Sequence, residues 1–513
     1  MTSADRRLVF VALALCVIAR AAFLILPTTT LSTKAVASIP DASEYTVLAE
    51  NLAHHHVFSR SIEPPFRPEV LRTPGYPLFL APFYLVFGNP LVPVLIAHIV
   101  LSLLLVLAAY KFCLELTSSV RTSAIAALLV AVSPNIAFIS TKLVTETLFT
   151  LVLVVAIMLF NRFRVFRRTR DLAACGICCG VLALIRPIAM FLPLLLALLV
   201  LAGKSGTVPG RLEAGRNQGQ SRFSHTKRGP RSWAAALLLL ASFAFVISPW
   251  VIRNATLTGR WILTTAGEHN LFLYNAATVV AAENNVSLVE ARDMMREEAA
   301  PRFGPVDTLD EARFWNKLSP IAWRHVLRRP WLAAKVQIVG FFSTLLSPVS
   351  LRPLAVHSGA SPSQESNVAQ KALALLASGR FGQAFHTLWQ GRLTGLGVFG
   401  VIVFLLALVF ELGLLVFAAI GLLKELVKRT RCRKAVTSGS GSNPSTSLPV
   451  LWLLWPILYF TLLTGALGEA RMRVPVEPLL AILAAVGLNR LHKPNRAEIR
   501  KQIPETRDVS GSF

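Results

Sequence analysis

Two carboxylates and an arginine share one short stretch of this 513-residue chain, residues 40–77. The stretch opens Pro40-Asp41-Ala42-Ser43-Glu44-Tyr45 and closes Arg72-Thr73-Pro74-Gly75-Tyr76-Pro77. A carboxylate such as Asp41 or Glu44 can take the proton of an attacking hydroxyl. The prolines and the glycine fix the backbone beside Arg72, and a guanidinium so fixed suits a phosphate, which it grips with two parallel bonds. Further charges sit at the ends of apolar runs: Glu146, Arg186, Arg253 with Asn254, and Arg471 with Arg473. Each has a plainer reading. Asp41 followed by Glu44 reads as a capping box for a helix over 42–53, with Asp41, Tyr45 and Leu48 along one side. Lys142 and Glu146 have the spacing of a helical ion pair. An arginine at a membrane face also snorkels to headgroups.

The elements that must position these residues are hydrocarbon-spanning. Hydrophobic residues make up 54% of the chain and charged ones 15%, with a mean hydropathy of +0.57. That usage excludes a soluble globular protein and implies an all-α polytopic membrane protein. The net charge of +25 does not argue for nucleic acid, because lysine and arginine crowd into short loops beside apolar runs, as cytoplasmic loops do. Ten spans are expected: 8–26, 91–112, 122–138, 143–160, 172–185, 188–202, 233–252, 396–423, 448–467 and 474–491. Arg6, Arg7 and the basic run 162–170 place both termini in the cytoplasm and Asp41 outside. Ala35-Val36-Ala37 resembles a signal-peptidase site, but it lies far beyond a long apolar run, so an uncleaved first helix is expected.

The chain then divides into a membrane bundle (1–252), an extracytoplasmic region (253–395), C-terminal helices (396–491) and a basic tail (492–513). Within the bundle, 27–88 forms the first outer loop and 203–232 a polar, basic cytoplasmic linker. Residues 76–88 and 331–346 read as interfacial. Tyr76 belongs to the kinked turn beside Arg72. Cys175-x-x-Cys178 shares its run with Gly176 and Gly180 and reads as small packing residues. His54, His55 and His56 invite a metal reading, yet consecutive helical residues face different ways, so an exposed helix end is expected. Asn254-Ala-Thr256 and Asn285-Val-Ser287 have the form of glycosylation sequons.

The order of these motifs resembles a family. An acidic residue in the first outer loop precedes Arg-Thr-Pro-Gly-Tyr-Pro-Leu-Phe-Leu, Thr145-Glu146, Leu-Ile-Arg186-Pro187, Pro249-Trp-Val-Ile-Arg-Asn254 with Gly267, and Arg-Met-Arg-Val-Pro475. Together they are similar to the GT-C glycosyltransferases that use polyprenyl-phosphate sugars, among them protein mannosyltransferases and the aminoarabinose transferase of lipid A. The resemblance implies an inverting transfer from a polyprenyl-phosphate sugar to a glycan, lipid or protein acceptor, at the outer face of a bacterial inner membrane. No cofactor is required in that chemistry, and a divalent cation is optional. Asp41 matches the family's catalytic acidic residue, which acts as the base, Glu44 is the alternative, and Glu146 is a second carboxylate near the site. Where some relatives have adjacent acids this chain has Asp-Ala-Ser-Glu, which leaves the base between Asp41 and Glu44. Arg72, Arg471 and Arg473 fall to the donor phosphate, with Tyr45, Tyr76, Arg186, Arg253 and Asn254 lining the substrate site. A flippase for lipid-phosphate glycans is the competing reading; it calls for charges at mid-span, where this chain has few.

Overall fold

A computed structural model describes residues 3–25, 40–88, 91–202, 232–303, 311–346, 375, 378–384, 386–387, 398–437, 450–464 and 470–489. Those residues contain helices, turns and one isolated bridge between Ser59 and Pro68, with no named strand. The N-terminal helices are α1 (Ser3–Ile25), α2 (Pro40–His54), α3 (Gly75–Phe87), α4 (Leu91–Thr117), α5 (Val120–Val132), α6 (Pro134–Ile139), α7 (Glu146–Phe166), α8 (Thr169–Ile185), α9 (Leu192–Ala202) and α10 (Ser232–Thr258). The region expected to be extracytoplasmic follows as α11 (Ala266–Asn270), α12 (Ala277–Asn284), α13 (Leu288–Phe303), α14 (Glu311–Arg328) and α15 (Pro330–Leu346). Last come α16 (Val398–Thr437), α17 (Leu454–Leu463) and α18 (Glu477–Asn489).

Among the described residues, six helices are long and apolar enough to cross a membrane: α1, α4, α7, α10, α16 and the stretch Ala470–Asn489 that contains α18. The chain is an integral membrane protein. The apolar runs expected at 122–138, 172–185, 188–202 and 448–467 are shorter helices. The first of them breaks where Ser133 ends α5 and its side chain accepts the Ile136 N–H to cap α6, with Pro134 at the first position. The buried Arg20 of α1 turns its Nη1 to the carbonyls of Cys16 and Ala131, so a guanidinium ties α1 to the last turn of α5. α16 runs on through Thr437, so the basic run after 423 continues a helix instead of opening a loop.

Close helix approach rests on glycine. A Cβ on Gly176 would lie 2.5 Å from the Leu239 carbonyl oxygen, and one on Gly180 2.5 Å from Val246 Cβ. α8 therefore lies directly on α10, and the neighbouring Cys175 and Cys179 are buried in the bundle core. Gly421 and Gly487 let α16 and α18 meet in the same way.

The outer region builds a second core from Phe272, Val279, Val280, Leu288, Met295, Phe314, Leu318 and Ile321. It is tied to the Arg72 turn by backbone partners. The Thr265 N–H reaches the Val70 carbonyl at 3.2 Å, and the Thr264 hydroxyl donates to the Leu71 carbonyl at 2.5 Å. Ala35–Ala37, Glu469, the 203–231 and 438–447 linkers and the tail from 490 lie outside the described residues.

Candidate active site

Pro40 starts α2 two residues earlier than the capping pattern suggests, so Asp41 lies inside the first turn, not at the cap. Proline suits that first position, where its missing N–H costs nothing. Both side chains, Asp41 and Glu44, turn to arginines.

The Arg72 turn is shaped by residues on either side of it. The Glu69 carboxylate accepts the backbone N–H groups of Leu71 and Arg72. Gly75 is required where the turn meets α8, since a Cβ there would stand 2.7 Å from the Leu184 carbonyl carbon and oxygen. That contact carries Arg72 to the C-terminal end of α8, where Arg186 leaves the helix in extended conformation. α7 brings Glu146 at its first residue, and the 3-10 segment Ala470–Val476 brings Arg471.

The result is an unbroken ladder of alternating charge. Glu69 pairs with Arg60, and Arg60 Nη1 stands 3.4 Å from Glu44 Oε1. Glu44 Oε2 accepts Arg72 Nε at 2.6 Å, and Arg72 Nη2 donates to Asp41 Oδ1 at 2.7 Å. Asp41 Oδ2 accepts Arg471 Nη2 at 2.6 Å, and Arg471 Nε donates to Glu146 Oε1. Arg186 Nη1 closes the far end, 2.6 Å from Glu146 Oε1. Four carboxylates meet four guanidiniums, so the ladder is neutral as a whole. Its middle is open: Asp41, Arg72 and Arg471 keep 26%, 24% and 16% of their side chains exposed, while Glu146 keeps none. Burial alone would raise the Asp41 carboxyl. The guanidiniums of Arg471 and Arg72 outweigh it and hold the group well below the usual carboxylate range.

Aromatic rings back this ladder. The Arg72 guanidinium lies 5.4 Å over the Tyr45 ring, which meets Tyr76 edge-on at 5.3 Å. Tyr76 itself is fully buried. Its hydroxyl donates to His98 Nε2 at 3.2 Å, because His98 Nδ1 serves the Ser140 carbonyl at 3.3 Å. Tyr76 therefore supports the site from behind and offers no surface to a substrate.

Other expected site residues are placed elsewhere. Arg473 is fully buried and pairs with Glu411 of α16 at 2.8 Å and Glu477 of α18 at 3.0 Å. It also donates to the Thr344 and Leu345 carbonyls at the end of α15. It staples helices together and cannot reach a lipid phosphate. Glu411 and Arg20 further show that buried spans do carry charges, each held in helix packing. Arg253 donates to the Glu69 carbonyl at 2.7 Å and stacks 4.4 Å over Trp250, so it supports the turn indirectly. Asn254 is buried with its amide on the Ile262 and Leu263 carbonyls, which removes it as a glycosylation acceptor. Lys142 is buried against Phe138, and Glu146 takes arginines in place of it. His54, His55 and His56 are exposed at the end of α2, with His55 against Phe66. Among the described residues no three His, Cys, Asp or Glu side chains group as a metal site.

Sequence reading passed over Arg60, Glu69 and His269. Glu69 had a signal: an acid just before Arg-Thr-Pro-Gly, within reach of the turn's free amides. His269 of α11 packs against Trp315 at 4.5 Å. Burial lowers its pKa, and the charges of Arg72, Glu44 and Arg60 also act on it.

Comparison with known proteins adds an independent observation. Residues 71–209 match the family of dolichyl-phosphate-mannose-protein mannosyltransferases. The matched stretch contains Arg72, Glu146 and Arg186, and it bears out there the glycosyltransferase resemblance read from the motifs. No curated protein matches the chain. Two similar solved structures are the oligosaccharyltransferase AglB of Archaeoglobus fulgidus with an inhibitory peptide and a dolichol-phosphate, and an oligosaccharyltransferase of the same archaeon tethered to an acceptor peptide. The first is 13% identical with a TM-score of 0.47, covering 98% of this chain and 52% of its own. The second is 13% identical with a TM-score of 0.45, covering 94% and 50%. The chain spans about half the length of each.

Proposed function

We propose that this protein transfers a sugar from a polyprenyl-phosphate donor to a hydroxyl of a glycan, lipid or protein acceptor, on the extracytoplasmic face of a bacterial plasma membrane. The observation that carries this reading is the pair of guanidiniums, Arg72 and Arg471, converging on one carboxylate at the open middle of the ladder. The ladder gathers at the end of the bundle where α7 begins and α8 finishes. The basic run 162–170 lies at the opposite end of both helices, which supports an outer site with cytoplasmic termini.

The chemistry asks little more of the protein. The acceptor oxygen attacks the anomeric carbon as its proton passes to Asp41. The bond from that carbon to the phosphate oxygen breaks on the opposite side, and its electron pair stays on the phosphate. Inversion follows from a single displacement. The developing phosphate charge is met by Arg72 and Arg471, which the Glu44 and Glu146 carboxylates hold in place before reaction. No cofactor is required in this scheme and a divalent cation is optional, since Arg72 and Arg471 are the cations it assigns to the leaving phosphate.

The test compares surface glycans, lipids and glycoproteins from cells with and without the protein by mass spectrometry. A difference of one sugar on one class of molecule is expected. No difference in any class would contradict transfer and turn attention to lipid-phosphate transport.

A further inference from the structure

Asp41 lies between two guanidiniums. Arg72 and Arg471 are arranged alike: each gives its Nε to a glutamate, Glu44 or Glu146, and its Nη2 to one oxygen of Asp41. The two Nη2 groups lie 2.7 and 2.6 Å from that carboxylate. Two oxygens of a phosphate would meet the same pair of donors. Charge also matches, since a sugar phosphodiester carries one negative charge, as the Asp41 carboxylate does, so Arg72 and Arg471 share one anion before and after the exchange.

Resting on the donor reading above, we infer that the donor phosphate enters by anion exchange: it displaces Asp41 from the Nη2 groups of Arg72 and Arg471, and the freed Asp41 becomes the base. Glu44 and Glu146 are positioning residues in this scheme. Through the Nε edges they keep both guanidiniums aimed while the anion between them changes. The exchange explains how one aspartate can be clamped by two cations at rest and still accept a proton in the donor complex. It also orders the reaction, because a base exists only after the donor has bound. After transfer, Asp41 passes its proton to the phosphate monoester or to water. As a carboxylate again, it competes for the two arginines and promotes release of the polyprenyl phosphate.

The test titrates polyprenyl monophosphate, with uncharged polyprenol as control, into the purified full-length protein in nanodiscs. Asp41→Asn removes the resident anion and is expected to bind the phosphate lipid about tenfold or more tightly than wild type, as loss of a charge-assisted competitor requires. Glu44→Gln and Glu146→Gln are expected to bind it about tenfold more weakly, with polyprenol binding unchanged. Asp41→Ser repeats the test if the asparagine variant fails to fold. In the wild type, infrared difference spectra on adding the phosphate lipid should show a carboxylate leaving its guanidinium partners, whatever the variants do. Phosphate binding that folded Asp41 variants leave unchanged or weaken, or the absence of that carboxylate shift, overturns the exchange alone. Absence of phosphate-dependent binding in wild type and variants alike overturns the exchange and the donor reading together.

Discussion

If Asp41 is the base, its ionisation must differ between the free protein and the donor complex, because in the free protein both its oxygens hold guanidiniums. The pH dependence of kcat/KM reports the free protein and that of kcat the complex. With the free Asp41 carboxyl held well below its usual range by Arg471 and Arg72, the acid limb of kcat is expected at higher pH than that of kcat/KM for the donor. Coincident limbs in steady-state profiles would contradict it. The arginines call for a forked cation, because each serves two carboxylates through different nitrogens. Arg72→Lys keeps one charge but cannot span Glu44 and Asp41 together. A loss of about tenfold or more in donor kcat/KM is expected. Arg72→Ala should weaken the lipid donor more than the acceptor, whereas equal effects on both would argue against a phosphate contact.

At the scale of elements, the 3-10 segment Ala470–Val476 separates two arginines that look equivalent in sequence. With about three residues per turn, side chains two positions apart point to different sides. Arg471 thus meets Asp41 and Glu146, while Arg473 turns inward to Glu411 and Glu477. Arg473→Ala leaves buried carboxylates without a cation and should cost about 3–5 kcal/mol in unfolding, with little effect on donor binding in protein that remains folded. Arg471→Ala should do the reverse. The Gly75 contact with Leu184 sets a similar condition. Gly75→Val must push the turn off α8, lowering stability by about 1–3 kcal/mol and uncoupling Arg72 from Arg186; thermal unfolding and transfer rate read the two effects. Much of this was legible beforehand. Apolar runs marked the helices, and Asp41, Arg72, Glu146, Arg186 and Arg471 were expected at one face of the bundle, where the structure joins them in one ladder. The partner of each charge was not legible, because Asp41 and Arg471 are paired across 430 positions. The capping pattern at Asp41 misled for a local reason, since Pro40 already starts the helix.

For the whole molecule, the ladder joins parts that would otherwise be separate. The first outer loop, the starts and ends of α7 and α8, and the C-terminal segment before α18 each contribute a charge. The outer region leans on the same turn through Thr264, Thr265 and Arg253. α16 shows how far the chain exceeds a bilayer. Its 40 residues extend roughly 60 Å against a hydrocarbon core of about 30 Å, so its basic end projects well beyond the membrane. The basic run 162–170 and the ladder lie at opposite ends of α7 and α8, which is the arrangement the proposed outer site requires. The most direct test is the rate of sugar transfer by Asp41→Asn, measured against wild type at equal amounts of folded, membrane-inserted protein. If Asp41 is the base, the rate falls by about a hundredfold or more while the phosphate lipid still binds. A folded Asp41→Asn protein that transfers sugar at the wild-type rate would contradict it.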